Sequence, residues 1–573
     1  MWQCGACGKG QVGFVPTLSP RKLRKPARLT KLTMLNTVAK TFTAIDPWLE
    51  WLGDRLNPLL VKETRQALKS RQFTLWFVLM LIASWLITIG GVAIIGPSIS
   101  FVSAGGYLLL AYFFALAVPL VIVVPFTAYR SLAAELEDNT RDLLEVSTLS
   151  PYQIINGKLG SAVVQMLVYL SVLAPCLAFT YLLRGVDLPT IALLLSMAVC
   201  SSLALSLIGL LFAAVTRQRY AQVVLSIILA GALFLALWGL LMSAWAITNY
   251  GAWFAADETK IVIAAISSAF ITTFALLYLT AVKLVTFASA NRSTALRWAM
   301  VAQQAAFLAW VGGILAADNF SDVNQAAPGC GIVAGIYWLV MGSLLTGESP
   351  TLSRRVRRDL PQSTLGRMLL GLFSPGPASG YLFVIANLLT VAVLFLIGLS
   401  LRGGIFNSSV TGPRPSNVSA ATFLLLGLSY VAIYLGIGKL LISAARRVAI
   451  VTMLGSFLIH VLLVLASCGV PVLLQQSISW LRSPNYTYLQ LPNAAWTLSD
   501  LLDDDLTSLQ WMTAVLIVPA VAACMFLVNL LFAAREADQQ RVAAPERVVQ
   551  DDLELAPPPE LKPQNPWEEP EPA

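Results

Sequence analysis

The 573 residues are 57% hydrophobic and 12% charged, with a mean hydropathy of +0.74 and a net charge of +8. Soluble domains carry about twice that charge on their surfaces, so a string of soluble domains is excluded. The composition predicts an all-α integral membrane protein, a polytopic helical bundle, because a helix meets its own backbone hydrogen bonds inside lipid.

Residues 1–53 form a basic segment, with eight Lys or Arg and no acid before Asp46. It reads as a largely disordered cytoplasmic arm that sets topology and holds anionic lipid, at about 1 kcal/mol per charge, rather than nucleic acid. It offers no apolar core for a signal peptide, and Met34 is an alternative start that would leave residues 1–33 outside the mature protein. Cys4 and Cys7 make a single CxxC, two ligands short of a zinc site.

Residues 54–73 predict an interfacial amphipathic helix. Pro58 follows Asn57 in the first helical position, and Leu56, Leu59, Leu60, Ala67 and Leu68 lie toward one side. Lys62, Arg65, Lys69 and Arg71 fall mostly elsewhere, as suits a helix lying in the membrane surface beside the lipid.

Twelve apolar stretches follow, each near the roughly 20 residues that a crossing needs: 74–95, 107–128, 160–183, 189–215, 221–247, 261–282, 299–317, 330–346, 381–401, 420–442, 449–474 and 511–534. They divide into a six-span domain over 74–283 and a second over 284–534, followed by a disordered, proline-rich tail over 535–573. The two halves are not a clear sequence repeat. With an even count and both termini cytoplasmic, all but Arg184, Lys260, Arg402, Arg414 and Arg482 of the 38 basic residues lie inside. The last outer connection, 475–510, is long enough for a small lid and carries Asp500, Asp503, Asp504 and Asp505.

The cytoplasmic connection 130–158 stands apart from the other loops. It sets Glu135, Glu137, Asp138, Asp142 and Glu145 among Leu136, Leu143 and Leu144, a pattern of apolar anchors and acids suited to docking on the Arg and Lys of a soluble protein. No P-loop is present, since Gly157–Lys158 and Gly438–Lys439 lack the following hydroxyl. Catalytic, cofactor-binding and metal-ligating residues are therefore not expected, and the chain reads as non-catalytic. The one histidine, His460, falls about eleven residues into the eleventh span, roughly 16 Å deep, and is a candidate intramembrane polar site.

Two stretches resemble type 2 ABC exporter permeases. Asn57, Pro58, Lys62, Glu63, Arg65, Ser70 and Arg71 match the helix that opens those permeases. Glu135, Thr140, Leu143, Leu144, Leu149, Ser150, Ile154, Gly157 and Lys158 match the segment between their second and third spans, while Asn139, Arg141 and Thr148 depart from it. The resemblance covers residues 57–158, and the six-span layout reaches about 283; the second half lies beyond the family's unit. It implies a permease subunit of the plasma (inner) membrane, paired as a homodimer or heterodimer and driven by a separate ABC ATPase that holds ATP and magnesium. Within it, Glu135, Glu137, Asp138, Leu143, Leu144, Ser150, Gly157 and Lys158 would form the coupling loop. Two other readings compete: an ion-coupled secondary transporter with His460 relaying protons, and a membrane assembly protein without cargo.

Overall fold

The computed structural model describes residues 57–96, 105–137, 149–183, 185–215, 218–249, 257–287, 290–316, 323–353, 356–357, 371–403, 416–449, 451–479, 482, 485–503, 505–539, 547, 550 and 554. The arm over 1–53, with Cys4 and Cys7, lies outside them, as do Asp138, Asp142, Leu143, Leu144, Glu145 and most of the tail. Among the described residues there is no strand, and the architecture is an all-α bundle.

A short helix, α1 (Pro58–Leu68), precedes the first crossing. The first half continues with α2 (Arg71–Ile95), α3 (Gly105–Glu137), α4 (Pro151–Leu182), α5 (Leu188–Val215), α6 (Arg219–Asn249) and α7 (Asp257–Val285). The second half comprises α8 (Thr294–Ala316), α9 (Val323–Thr346), α10 (Pro377–Gly403), α11 (Ser416–Ala445), α12 (Met453–Ser477), the short α13 (Ala494–Leu502) and α14 (Ser508–Gln539). Eleven helices contain segments long and apolar enough to cross a bilayer, against twelve expected from sequence, and α8 is the one missing from that set. Its position supplies the twelfth passage. The last residues of α7 and α9 meet at one ion cluster through Lys283 and Glu348, so the chain must return between them. α8 makes that return alongside α7, with Gln303 donating to Thr273 (3.0 Å) and Trp310 to Ser268 (2.6 Å).

α3 is not uniform, for Pro119–Val123 form a π-helical turn. Pro125 lacks the N–H that would meet the Leu120 carbonyl five residues back, and Ser202 of α5 donates to that carbonyl instead (2.5 Å).

The two halves share one packing scheme. In the first, α3 lies on α5, α4 and α6 each touch both, and α7 packs on α5 and α4; in the second, α9, α11, α10, α12 and α14 repeat those relations in the same order. Weak sequence similarity thus hides a repeat that helix geometry displays. α13 has no counterpart among the described residues of the first half. Tyr430 and Tyr434 of α11 donate to the Leu491 and Pro492 carbonyls just ahead of it, fixing the expected lid to the bundle.

Candidate functional site: the charged ends of the two halves

In the first half the site is assembled by α1. Asn57 caps α1 by accepting from the Leu59 N–H (3.1 Å), and its amide also donates to the Gln153 carbonyl on α4. α4 is itself closed by a reciprocal capping box, with Ser150 Oγ accepting from Gln153 N and Gln153 Oε1 accepting from Ser150 N. Leu59 settles on Gly157, where an added Cβ would come within 3.1 Å of it, so a side chain there would push α1 and α4 apart by a few tenths of an ångström. The apolar face expected to lie in lipid is therefore spent on α4.

That contact brings Glu63 over Lys158. The Lys158 ammonium, with no exposed side-chain surface, lies 3.1 Å from Glu63 Oε1, 3.0 Å from Glu135 Oε2 and 3.0 Å from Ser131 Oγ. One buried cation thus joins α1, α3 and α4. The structure turns Glu135 and Lys158 inward, toward each other, whereas the sequence placed them on an outward docking surface; Leu136 is likewise buried, packed with Leu59 and Ile155. The burial of Gly157 has the same cause, the seat for Leu59. Glu137 and Ser150 remain exposed, as do Lys62 and Arg65 on α1 and Arg71 at the start of α2.

The second half carries its own cluster, which no motif signalled. Glu348, just past α9, accepts from Lys283 Nζ (2.7 Å) and Ser293 Oγ (2.6 Å) through Oε1, and from Arg297 Nη2 (2.8 Å) and Gly376 N (3.0 Å) through Oε2. Gly376 holds φ at +145°, a backbone that side chains disfavour, to present that N–H. Burial alone would raise the carboxyl's pKa, but Lys283 and Arg297 outweigh it and hold it at about 2. Arg297 is fully buried and also donates to the Leu372 carbonyl and Ser379 Oγ, tying α8 to the start of α10. The available signal was a Lys, an Arg and a Glu, each bordering an apolar stretch; their spacing of 14 and 51 positions gives no periodic cue.

His460 is 2% exposed, with Nδ1 2.9 Å from the Ser456 carbonyl and Nε2 3.4 Å from Thr346 Oγ1. It stands seven residues into α12, about 10 Å from that end, level with the last residue of α9. This corrects the midplane depth read from sequence, because α12 begins at Met453 rather than at residue 449. Its ring lies directly on Gly438 of α11. At the opposite end of the bundle, Asp500 accepts from Trp496 Nε1 (3.1 Å), and burial beside Asp505 and Asp503 pushes its carboxyl pKa up.

No protein-family model matches the chain, and neither does any curated protein or solved structure. The class rests on the molecule itself: a multi-pass, all-helical membrane protein with a buried ion cluster at the charged end of each half.

Proposed function

We propose that the chain is the membrane-spanning permease subunit of an ATP-binding-cassette exporter, driven by a separate ATPase and oriented with both charged clusters at the cytoplasmic face of the plasma membrane. The observation that supports this reading is the union of its two family-like stretches. Asn57 and Glu63 come from one, Glu135, Gly157 and Lys158 from the other, and all five meet in a single packed block. A block of this kind is what a soluble motor needs to push against, since side chains locked in one geometry pass a displacement from α4 to α1 and α3 without dissipating it. Glu137 and the exposed bases of α1 border the block on its solvent side, and complementary charge there would steer a partner.

The test is purification of the intact protein from its native membrane. A P-loop ATPase should accompany the parent and be lost from a variant carrying Leu143→Ser and Leu144→Ser. A protein that exchanges its cargo down an ion gradient with no ATPase attached would overturn the assignment.

A further inference from the structure

Beneath α13, at the end of the bundle opposite the ion clusters, the helices α9, α11 and α12 leave a cavity of about 210 Å³. Its lining on α9 runs from Gly331 to Leu339, about 12 Å at 1.5 Å per residue, so the space is a slot rather than a chamber. Glycine keeps it open. Gly331 and Gly342 on α9 seat Leu424 and Leu435 of α11, where an added Cβ would come within 2.6 and 2.5 Å of them. Gly335, between the two, seats nothing: a Cβ there would meet only Val431, at 3.7 Å, and one on Gly427 of α11 only Leu498, at 3.9 Å. Both glycines therefore border free space that close packing does not explain.

The roof is fixed. Tyr434 Oη donates to the Pro492 carbonyl (2.9 Å) and accepts from Ala494 N (3.3 Å), Tyr430 Oη donates to the Leu491 carbonyl (2.6 Å), and Asn493 Nδ2 donates to the Cys468 carbonyl of α12 (3.2 Å). Those bonds also engage both hydroxyls of the lining, and its remaining side chains, the Cys468 thiol apart, are hydrocarbon. Packed proteins hold few voids of this size, and an apolar cavity of about 150 Å³ stays free of water yet takes up benzene. The mouth decides what reaches the slot. Ile332 and Ile336 line it and are also 44% and 59% exposed on the flank of a helix that crosses the bilayer, so the slot is continuous with the surface that lipid chains cover. A helix of a second copy, about 10 Å across with its side chains, is too thick to enter.

We propose that this slot binds one acyl chain of a membrane lipid, which passes between Ile332 and Ile336 on one side and α13 on the other and lies against Gly335 and Gly427. A hydrocarbon chain is the ligand that the bilayer supplies in bulk and that needs no polar partner, and its presence gives the lining the contacts that a void would forfeit. The site follows from the membrane-spanning fold and is independent of what drives transport.

The experiment is photolabelling of the full-length protein in phosphatidylcholine vesicles that contain, as a minor component, phosphatidylcholine with a diazirine midway along one acyl chain, and no other amphiphile. Adducts mapped by mass spectrometry should fall on the half-buried Leu339, Val464 and Leu498 as well as on Trp85 of α2, which faces lipid openly at 64% exposure. Filling the slot with Gly335→Leu and Gly427→Leu should lower labelling of the first three several-fold and leave Trp85 unchanged. Parent adducts on Trp85 but not in the slot would overturn the proposal, showing the slot empty or covered by a second copy, and so would slot labelling that survives the filling. Should the filled protein fail to fold, Gly335→Ala with Gly427→Ala provides a second reading, since a methyl group at either position meets only ordinary contacts. Slot labelling should fall part of the way in that variant, and labelling equal to the parent's would again overturn the proposal.

Discussion

Replacing Lys158 with Met should destabilise the first half more than any loss of apolar contact at that position would. The ammonium has no exposed side-chain surface, and the side chains of Glu63 and Glu135 retain only 9% and 13%. Solvent can therefore do little to screen what remains. Removing one partner from a buried ion group costs about 3–5 kcal/mol because the opposite charge is left uncompensated, and here two carboxylates would face each other. At roughly 1.4 kcal/mol per tenfold, the folded fraction should fall by at least a hundredfold relative to the unfolded. The loss should shrink in acid, where one carboxylate takes a proton and the repulsion ends. Replacing all three residues together (Glu63→Leu, Glu135→Leu, Lys158→Met) removes every charge and should come out near neutral, or more stable by about 1–4 kcal/mol. The assay is denaturant unfolding of the detergent-solubilised protein at neutral and acidic pH. A Lys158→Met variant within about 0.5 kcal/mol of the parent, with no relief in acid, would refute the reasoning that this cluster pins α1 to the bundle.

Two further outcomes follow from the second half. Glu348 is depressed to about 2 when folded, against about 4.3 when unfolded. Its contribution, on the order of 3 kcal/mol, is thus complete above the unfolded value and drains away as pH falls toward the folded one. Unfolding measured across that window should be steep in the parent and flatter in Glu348→Gln, which should already be less stable at neutral pH. Gly438→Ala drives a methyl group into the His460 ring and should cost about 1–3 kcal/mol. In a double-mutant cycle with His460→Ser, the paired loss should be smaller than the sum of the single losses, and strict additivity would mean that the two residues do not touch.

What was legible in the sequence follows from what hydropathy encodes. Runs of apolar residues name the crossings because each must match the bilayer, and every predicted crossing corresponds to a helix, including α8 despite Gln303, Gln304 and a buried Arg297. The amphipathic α1 was legible for the same reason, through Asn57, Pro58 and its leucines. Its partner was not, since nothing in an apolar stripe distinguishes a lipid surface from the side of α4. Charge pairing was equally hidden. Glu63 meets Lys158 across 95 positions and Glu348 meets Arg297 across 51, so the acids of the 130–158 connection read as a surface when one of them was already committed inward. The repeat escaped because helix order and packing persist while the residues that fill the contacts change.

The π-helical turn in α3 bears on how such a protein tolerates change. It fits an extra residue into one turn, and each residue advances an α-helix by about 100°, so straightening it into ordinary α-helix without removing a residue would rotate everything beyond by roughly that angle, whereas deleting one residue between Pro119 and Val123 would restore the ordinary pitch and leave what lies beyond in phase. In the straightened helix Tyr129, which now donates to the Gln222 carbonyl on α6 (2.8 Å), and Glu135, which now meets Lys158, would both swing off their partners. The turn acts as a phase setting between the two ends of α3: one end is indexed to the lipid-embedded core and the other to the charged block. A single-residue insertion or deletion in the ordinary turns on either side would leave the apolar length of the helix adequate for crossing while uncoupling the two ends from each other, and a deletion inside the π turn would not.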